Sequence, residues 1–356
     1  MPTEALIDWL LSNGAAEALI GLSGGVLLGL AARRGRFCTL GAIEDVLYAG
    51  DWRRVRMWAL ALGLSIIGVQ IALALEVIAL DDSVYATIAW DPVASIVGGL
   101  LFGYGMAMAG NCGYGALARL GGGDLRSFVI VLVVGISAYM AAGGPLAGLR
   151  QALFPRMERG QDSPSFNYAD SLGAVAGVPA AYIAIAVAAL LIGWAVSSRG
   201  FLSVRAYPVW SAGVALAIVG GWIGTTWVAG QAFHPVAVES YTFSAPPGEA
   251  ILYVMTASGG GLSFGVGSIA GVIIGALAGS LSRGHFHWEA CDDPRELGRQ
   301  MFGAFLMGTG GVIALGCSIG PGLTAFSTLA HSAPVVLLCV LAGAIVGLRQ
   351  LVEGTG

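Results

Sequence analysis

Long uncharged stretches, separated by short clusters of arginine, carboxylates, proline and glycine, set the rhythm of this chain. Nine such stretches stand out, over residues 18–32, 57–75, 92–111, 127–147, 171–196, 207–230, 261–282, 300–316 and 334–348. A helix needs about 20 apolar residues to cross the hydrocarbon core of a bilayer. In lipid, only helices and closed barrels satisfy their own backbone. A barrel would show short segments of strict polar–apolar alternation, and these stretches do not alternate. The pattern predicts an all-α integral membrane protein of about nine transmembrane helices, some of them short or broken by glycine, forming a single transmembrane domain over 1–356.

Composition sharpens this picture. The chain is 56% hydrophobic and 11% charged, where a soluble domain carries about 25% charged residues. Its 56 glycines and 13 prolines suit helices whose freed backbone groups are satisfied by neighbouring helices. All 17 basic residues are arginine. The lack of lysine excludes a Walker A loop and a lysine Schiff base. A net charge of −4 with scattered arginines leaves no nucleic-acid footprint. The opening MPTEALIDWLL is acidic where a signal peptide would be basic, so no cleaved leader is expected.

The arginines orient the chain. With the N-terminus outside, the cytoplasmic loops hold Arg33, Arg34, Arg36, Arg53, Arg54, Arg56, Arg119, Arg126, Arg199, Arg205, Arg283, Arg295 and Arg299, and Arg349 follows the last span. Only Arg150, Arg156 and Arg159, in the one sizeable external loop at 148–170, fall outside. The positive-inside rule therefore predicts the N-terminus outside and the C-terminus in the cytoplasm, in a bacterial inner membrane.

Sliding the sequence against itself by 205 residues reveals a repeat. Cys112 lands on Cys317, and Gly98, Leu101, Gly103, Gly105, Ala109 and Gly115 land on Gly303, Leu306, Gly308, Gly310, Ala314 and Gly320. At the same offset Glu44 lands on Glu249. The third span matches the eighth, five crossings later, so the two copies should face opposite ways. Halves at about 15–147 and 207–352, joined by a linking span at 171–196, make an inverted-topology repeat. Transporters and channels use that architecture, with the substrate path at the repeat interface.

Three stretches carry the candidate chemistry: GRFCTLGAIEDV around Cys38, FGYGMAMAGNCGYGALARLGGG around Cys112 and MGTGGVIALGCSIGPGLTAFSTLA around Cys317. In each, a glycine-spaced apolar helix runs into a cysteine. Turn or capping residues follow (Thr39; Gly113 and Gly115; Ser318, Gly320 and Pro321), then a short second helix. Glycine breaks a helix, Ser or Thr caps the next and proline suits its first turn. Each cysteine is thus expected at the junction of a broken helix, where free N–H groups favour an anion. Asn111 is a further candidate donor. Glu44 and Asp45 read either as stabilising a helix start or as gating anions. Cys339, mid-span with no turn after it, reads as a packed side chain. Cys291, His285 and His287 read as a solvated loop. With five dispersed cysteines and no CxxC pair, no metal, cofactor or disulfide framework is expected.

These motifs resemble the YeeE/YedE family of sulfur-transport membrane proteins, which has a thiosulfate-uptake member. The resemblance runs from about residue 20 to 350. It is most specific around Cys112 and Cys317, and extends to WSAGVALAIVGGWIGTTW and SYTFSAPPGEAILY. It implies a narrow path lined by Cys38, Cys112 and Cys317, along which thiosulfate is passed by thiol contacts, and a small cytoplasmic sulfur-carrier protein as partner. The register sets Phe243 opposite Cys38, so the path should be asymmetric. Thiols suit such a path because a weak donor matches a soft terminal sulfur without holding it tightly. Two other readings stay open: a carrier or channel for a selenium compound or another soft anion, and a membrane sulfurtransferase holding a persulfide on one cysteine. The latter needs a base or arginine beside its thiol; Cys38 has Arg36 nearby, whereas Cys112 and Cys317 have none near in sequence. A transporter rather than an enzyme is the expectation.

Overall fold

The computed structural model describes residues 14–160, 165–232, 236–257, 261–284, 286–290 and 293–354. The acidic stretch 1–13, and His285 and Cys291 of the candidate loop, lie outside these residues. The described residues form helices and isolated bridges, with no strand among them.

The first half runs α1 (Ala15–Gly35), a break at Cys38, the short α2 (Thr39–Glu44) continued by a π turn to Ala49, and α3 (Arg53–Ala74). It goes on through α4 (Pro92–Ala109), a break at Cys112, α5 (Gly113–Leu120) and α6 (Leu125–Ala142). A bent pair follows, α7 (Tyr168–Ala176) and α8 (Ala180–Val196). The second half runs α9 (Ala206–Ala229), a break at Phe243, α10 (Pro246–Thr256) and α11 (Phe264–Leu281). It then continues through α12 (Pro294–Ile313), a break at Cys317, a π-helical turn at Gly320–Ala325 and α13 (Ser332–Glu353). The order long, half, long, long, half, long occurs on both sides of the bent pair.

Local chemistry starts these helices. α4 and α12 both begin Asp-Pro: Asp91 accepts from the amides of Val93 and Ala94, and Asp293 from that of Arg295. A carboxylate cap satisfies otherwise orphaned amides, and proline at the first helical position gives up an N–H that had no partner. Asp124 caps α6 in the same way.

Among the described residues seven helices are long and apolar enough to cross a membrane, or eight if the bent pair is one span. The protein is therefore a multi-pass membrane protein. Two details differ from the sequence expectation. The linking span at 171–196 is not one rod: it turns by 115° between α7 and α8. Gly177 there takes a left-handed conformation and Pro179 starts the next helix, so the helical ladder cannot continue. The span expected at 300–316 falls on α12, whose first two turns carry Arg295, Glu296 and Arg299; it is not among the seven. Those first turns are exposed, and the rest of α12 runs antiparallel to α4 and packs against α4 and α6.

The centre of the bundle is the antiparallel crossing of α4 and α12. A Cβ added to Gly98 would lie 2.7 Å from the Gly310 carbonyl, and one added to Gly310 would lie 2.8 Å from the Gly98 carbonyl. Gly105 and Gly303 make the same reciprocal approach, at 2.5 and 2.6 Å. Only glycine lets two backbones come this close. α1 packs along α11, and α13 along α4; Cys339 on α13 lies against Gly99, as a packed side chain does. The segment 148–160 also has a structural task. Arg150 Nε donates to the Ala141 carbonyl at 2.9 Å and Arg156 to that of Val312 at 2.8 Å, so the two guanidiniums cap the C-terminal ends of α6 and α12.

Candidate functional site

The three breaks of interest converge. Cys112 is fully buried, Cys317 is 1% exposed and Cys38 is half-buried. Cys38 and Cys317 both lie near enough to Cys112 to interact with it electrostatically. The fold thus brings together three thiols separated by 74 and 205 positions in the chain.

Cys112 is itself the cap of α5: its sulfur accepts the Gly115 amide at 3.3 Å. Cys317 accepts the Phe243 amide at 3.1 Å, and the Thr242 hydroxyl lies 3.8 Å away. Sulfur is a weak acceptor and S–H a weak donor. Each buried thiol therefore takes an amide on its lone pairs and has a hydroxyl beside it, Thr242 at Cys317 and Ser318 at Cys112. Cys38 sits at the cap position of α2 but its side chain caps nothing. It faces open space instead.

The expected capping by Thr39 and Ser318 does not occur. Neither hydroxyl caps a helix: Cys38 takes the cap position ahead of Thr39, and Ile319 takes it after Ser318. The Ser318 hydroxyl lies within hydrogen-bond reach of the Cys112 sulfur. The Thr39 hydroxyl, next to Cys38, is buried without a protein partner, and leaving a buried hydroxyl unpaired costs about 1–3 kcal/mol.

Glycines set the clearances. A Cβ on Gly113 would stand 2.7 Å from the Phe243 carbonyl, and one on Gly320 2.7 Å from the Thr242 hydroxyl. The first keeps the start of α5 against the Phe243 break, and the second keeps the π turn against Thr242. Gly115 supplies the amide held by Cys112. Phe243 and Tyr114 pack ring to ring at 5.4 Å, closing the side of the thiol row.

A cavity opens at each end of the row. One, of about 440 Å³, is lined by Cys38, Asn111 and Gly115 and by Arg33, Arg36, Arg54, Arg119 and Arg283. Glu44 also lines it, at the end of α2, close to Arg54 and Arg119; it does not stabilise a helix start. Asp45 is held by Arg54 at 3.1 Å. The other cavity, of about 470 Å³, is lined by Tyr85, Trp90, Arg159, Phe166, Leu315 and His331, among others. Tyr85 reaches from it toward Cys317 and Gly320. His331 bonds the Phe166 carbonyl and Ser171 and stacks on Trp90, pinning one wall.

Thr242, Phe243 and Tyr85 are the site residues that sequence reasoning did not assign. The register opposite Cys38 pointed at Phe243 only as a missing cysteine, while its contribution is a backbone amide. Tyr85 lies in a segment without periodicity. Among the described residues no group of His, Cys, Asp and Glu is arranged to hold a metal ion.

The profile of the sulphur transport family matches residues 34–346. The thiosulfate transporter TsuA of Spirochaeta thermophila is 27% identical over 316 residues, covering 88% of this chain and 92% of that protein. The thiosulfate transporter TsuA of Escherichia coli K12 is 24% identical over 342 residues, covering 91% and 92%. The probable transporter YedE of Salmonella typhimurium is 26% identical over 194 residues, 53% of this chain and 44% of that protein.

Proposed function

The chain belongs to the sulphur transport family, and from that premise we propose that it imports thiosulfate into the cytoplasm along the row of Cys317, Cys112 and Cys38. The observation that carries the proposal is the row itself: thiols at helix breaks between two cavities, with amides on the buried sulfurs and the Ser318 hydroxyl beside Cys112. The relatives named thiosulfate transporters support the substrate.

The physical sequence is as follows. Thiosulfate enters the cavity walled by Arg159 and His331 and passes Tyr85 to reach Cys317. Its terminal sulfur and oxygens take S–H donors from one thiol after another, with Ser318 and Asn111 filling the remaining acceptor positions. It leaves past Cys38 into the arginine-lined cavity. Each donor is weak, so no station becomes a trap. This direction puts the arginine-lined cavity in the cytoplasm, in keeping with the arginine asymmetry, the N-terminus outside and the host membrane a bacterial inner membrane. The reciprocal contacts of Gly98 with Gly310 and Gly105 with Gly303, and the repeated order of elements, support an inverted repeat whose pseudo-twofold axis passes through the α4–α12 crossing. A small sulfur-carrier protein at the cytoplasmic mouth would consume the cargo.

The test is uptake of labelled thiosulfate into proteoliposomes that hold this protein alone. Accumulation above protein-free liposomes supports the reading; equal counts in both refute it.

A further inference from the structure

The inner cavity holds more positive charge than the thiol row needs. Five guanidiniums line it against one lining carboxylate, Glu44. Arg54 is committed to Asp45 at 3.1 Å. Arg33 is fixed by donating from Nε to the Ser280 hydroxyl at 2.7 Å and faces the like charge of Arg119. The nearest further carboxylates, Asp124 and Glu289, are held by Arg126 at 3.4 and 3.3 Å. Among the described residues the guanidiniums of Arg36 and Arg119 donate to no protein atom. Even with Glu44 and Asp45 set against the five arginines, three positive charges are left around a partly enclosed space.

The donor chemistry of this space is the opposite of that in the row. Guanidinium forks match the O–S–O edge of a tetrahedral oxyanion with two parallel hydrogen bonds. Sulfate and thiosulfate share three such oxygens, so arginines do not tell them apart, whereas a row of soft thiols does. Cys38 and Asn111 also line the cavity, so an oxyanion held there sits against the last thiol.

We propose that the inner cavity is a binding site for small divalent oxyanions of the sulfate class, and that cytosolic sulfate occupying it slows the release of thiosulfate from Cys38. Import is then restrained by the sulfur anion already inside the cell. The binding stands on the cavity alone; the slowing rests on the transport reading above.

Two measurements test this. The first is binding of labelled sulfate to the purified protein in detergent at constant ionic strength, since such contacts are screened by salt. The double substitution Arg36→Gln with Arg119→Gln should weaken binding by about tenfold or more, and unlabelled thiosulfate should displace the label. Arg159→Gln, in the outer cavity, should leave it in place. Arg36→Gln alone, at an exposed position, should weaken it several-fold, which keeps the test sound if the double variant folds poorly. Unchanged binding in the arginine variants, or loss with Arg159→Gln instead, overturns the site. The second is uptake of labelled thiosulfate into proteoliposomes loaded with sulfate or with gluconate. Internal sulfate should lower the initial rate several-fold; equal rates overturn the restraint. Absence of uptake in both, with arginine-dependent sulfate binding intact, refutes the transport reading and leaves the site standing.

Discussion

The backbone amide of Phe243 points at the sulfur of Cys317 from 3.1 Å. One helix break therefore holds the thiol of another, and the break that lacks a cysteine contributes to the row through its main chain. An amide donated to sulfur occupies a lone pair and not the S–H proton, so the thiol can still donate, to the Thr242 hydroxyl beside it or to an anion that takes that place.

Replacing Cys112 or Cys317 by alanine should reduce thiosulfate uptake to near background, with loss of Cys38 also impairing it and loss of Cys339 having little effect. A single weak hydrogen bond is worth about 1 kcal/mol, or several-fold in rate. A near-complete loss would show that the thiols act in series, each leaving the dianion without a donor at its own step. Growth on thiosulfate as sole sulfur source, with membrane expression checked, reads this out. Normal growth of both the Cys112 and the Cys317 variants would reduce the thiols to packed side chains.

Ser318→Ala separates ligand binding from stability. The hydroxyl is buried, caps no helix and has only the weakly accepting Cys112 sulfur beside it, so its removal should cost at most about 1 kcal/mol of stability, while uptake falls several-fold. A drop in melting temperature with uptake intact would assign the hydroxyl to the fold.

Gly113→Ala should be costly where Gly148→Ala is not. The new methyl at 113 would meet the Phe243 carbonyl at 2.7 Å, and overpacking of this kind costs about 1–3 kcal/mol. It should also disturb the Phe243–Cys317 contact and so lower uptake. Nothing lies within 4 Å of a methyl at 148, so that variant should match the natural chain in melting temperature and uptake.

Selectivity from the outside should favour soft anions. External sulfate should compete poorly for thiosulfate uptake, since the row offers thiols and hydroxyls and no guanidinium between the two cavities. Equal inhibition by the two anions at equal concentration would place the discrimination elsewhere.

A reporter fused after residue 356 should be active in the cytoplasm if the positive-inside reading of nine crossings, which assigns fourteen arginines to that side and three to the other, holds. A periplasm-active fusion would overturn the orientation and the inverted repeat with it.

The long helices and the breaks were readable in the sequence because lipid tolerates few alternatives. A span must be uncharged for about 20 residues, and a glycine-rich cysteine motif inside one announces an interruption. The bend between α7 and α8 was harder to read, since Gly177 and Pro179 interrupt hydrogen bonding without interrupting hydropathy. α12 shows the converse: its charged first turns are exposed, so only its second half reads as apolar. The Phe243 amide had no signature, because every residue but proline carries one, and Tyr85 acts from a segment with no period. Thr39 and Ser318 read as caps in the sequence, and neither caps a helix.

The α4–α12 crossing carries a consequence for timing. Backbones in contact at both Gly98–Gly310 and Gly105–Gly303 leave no slack for the two halves to swing about each other. Motion that admits cargo is then confined to side chains beside the row, such as the Tyr85 ring or a thiol turning between rotamers. Such movements take picoseconds to nanoseconds where accessible and slow when buried, against microseconds to milliseconds for domain hinges. In the proposed conduit throughput is set by how long the anion lingers at each sulfur, so its rate should rise with the thiosulfate gradient and level off once the stations are filled, at a ceiling fixed by dwell time and not by a domain cycle.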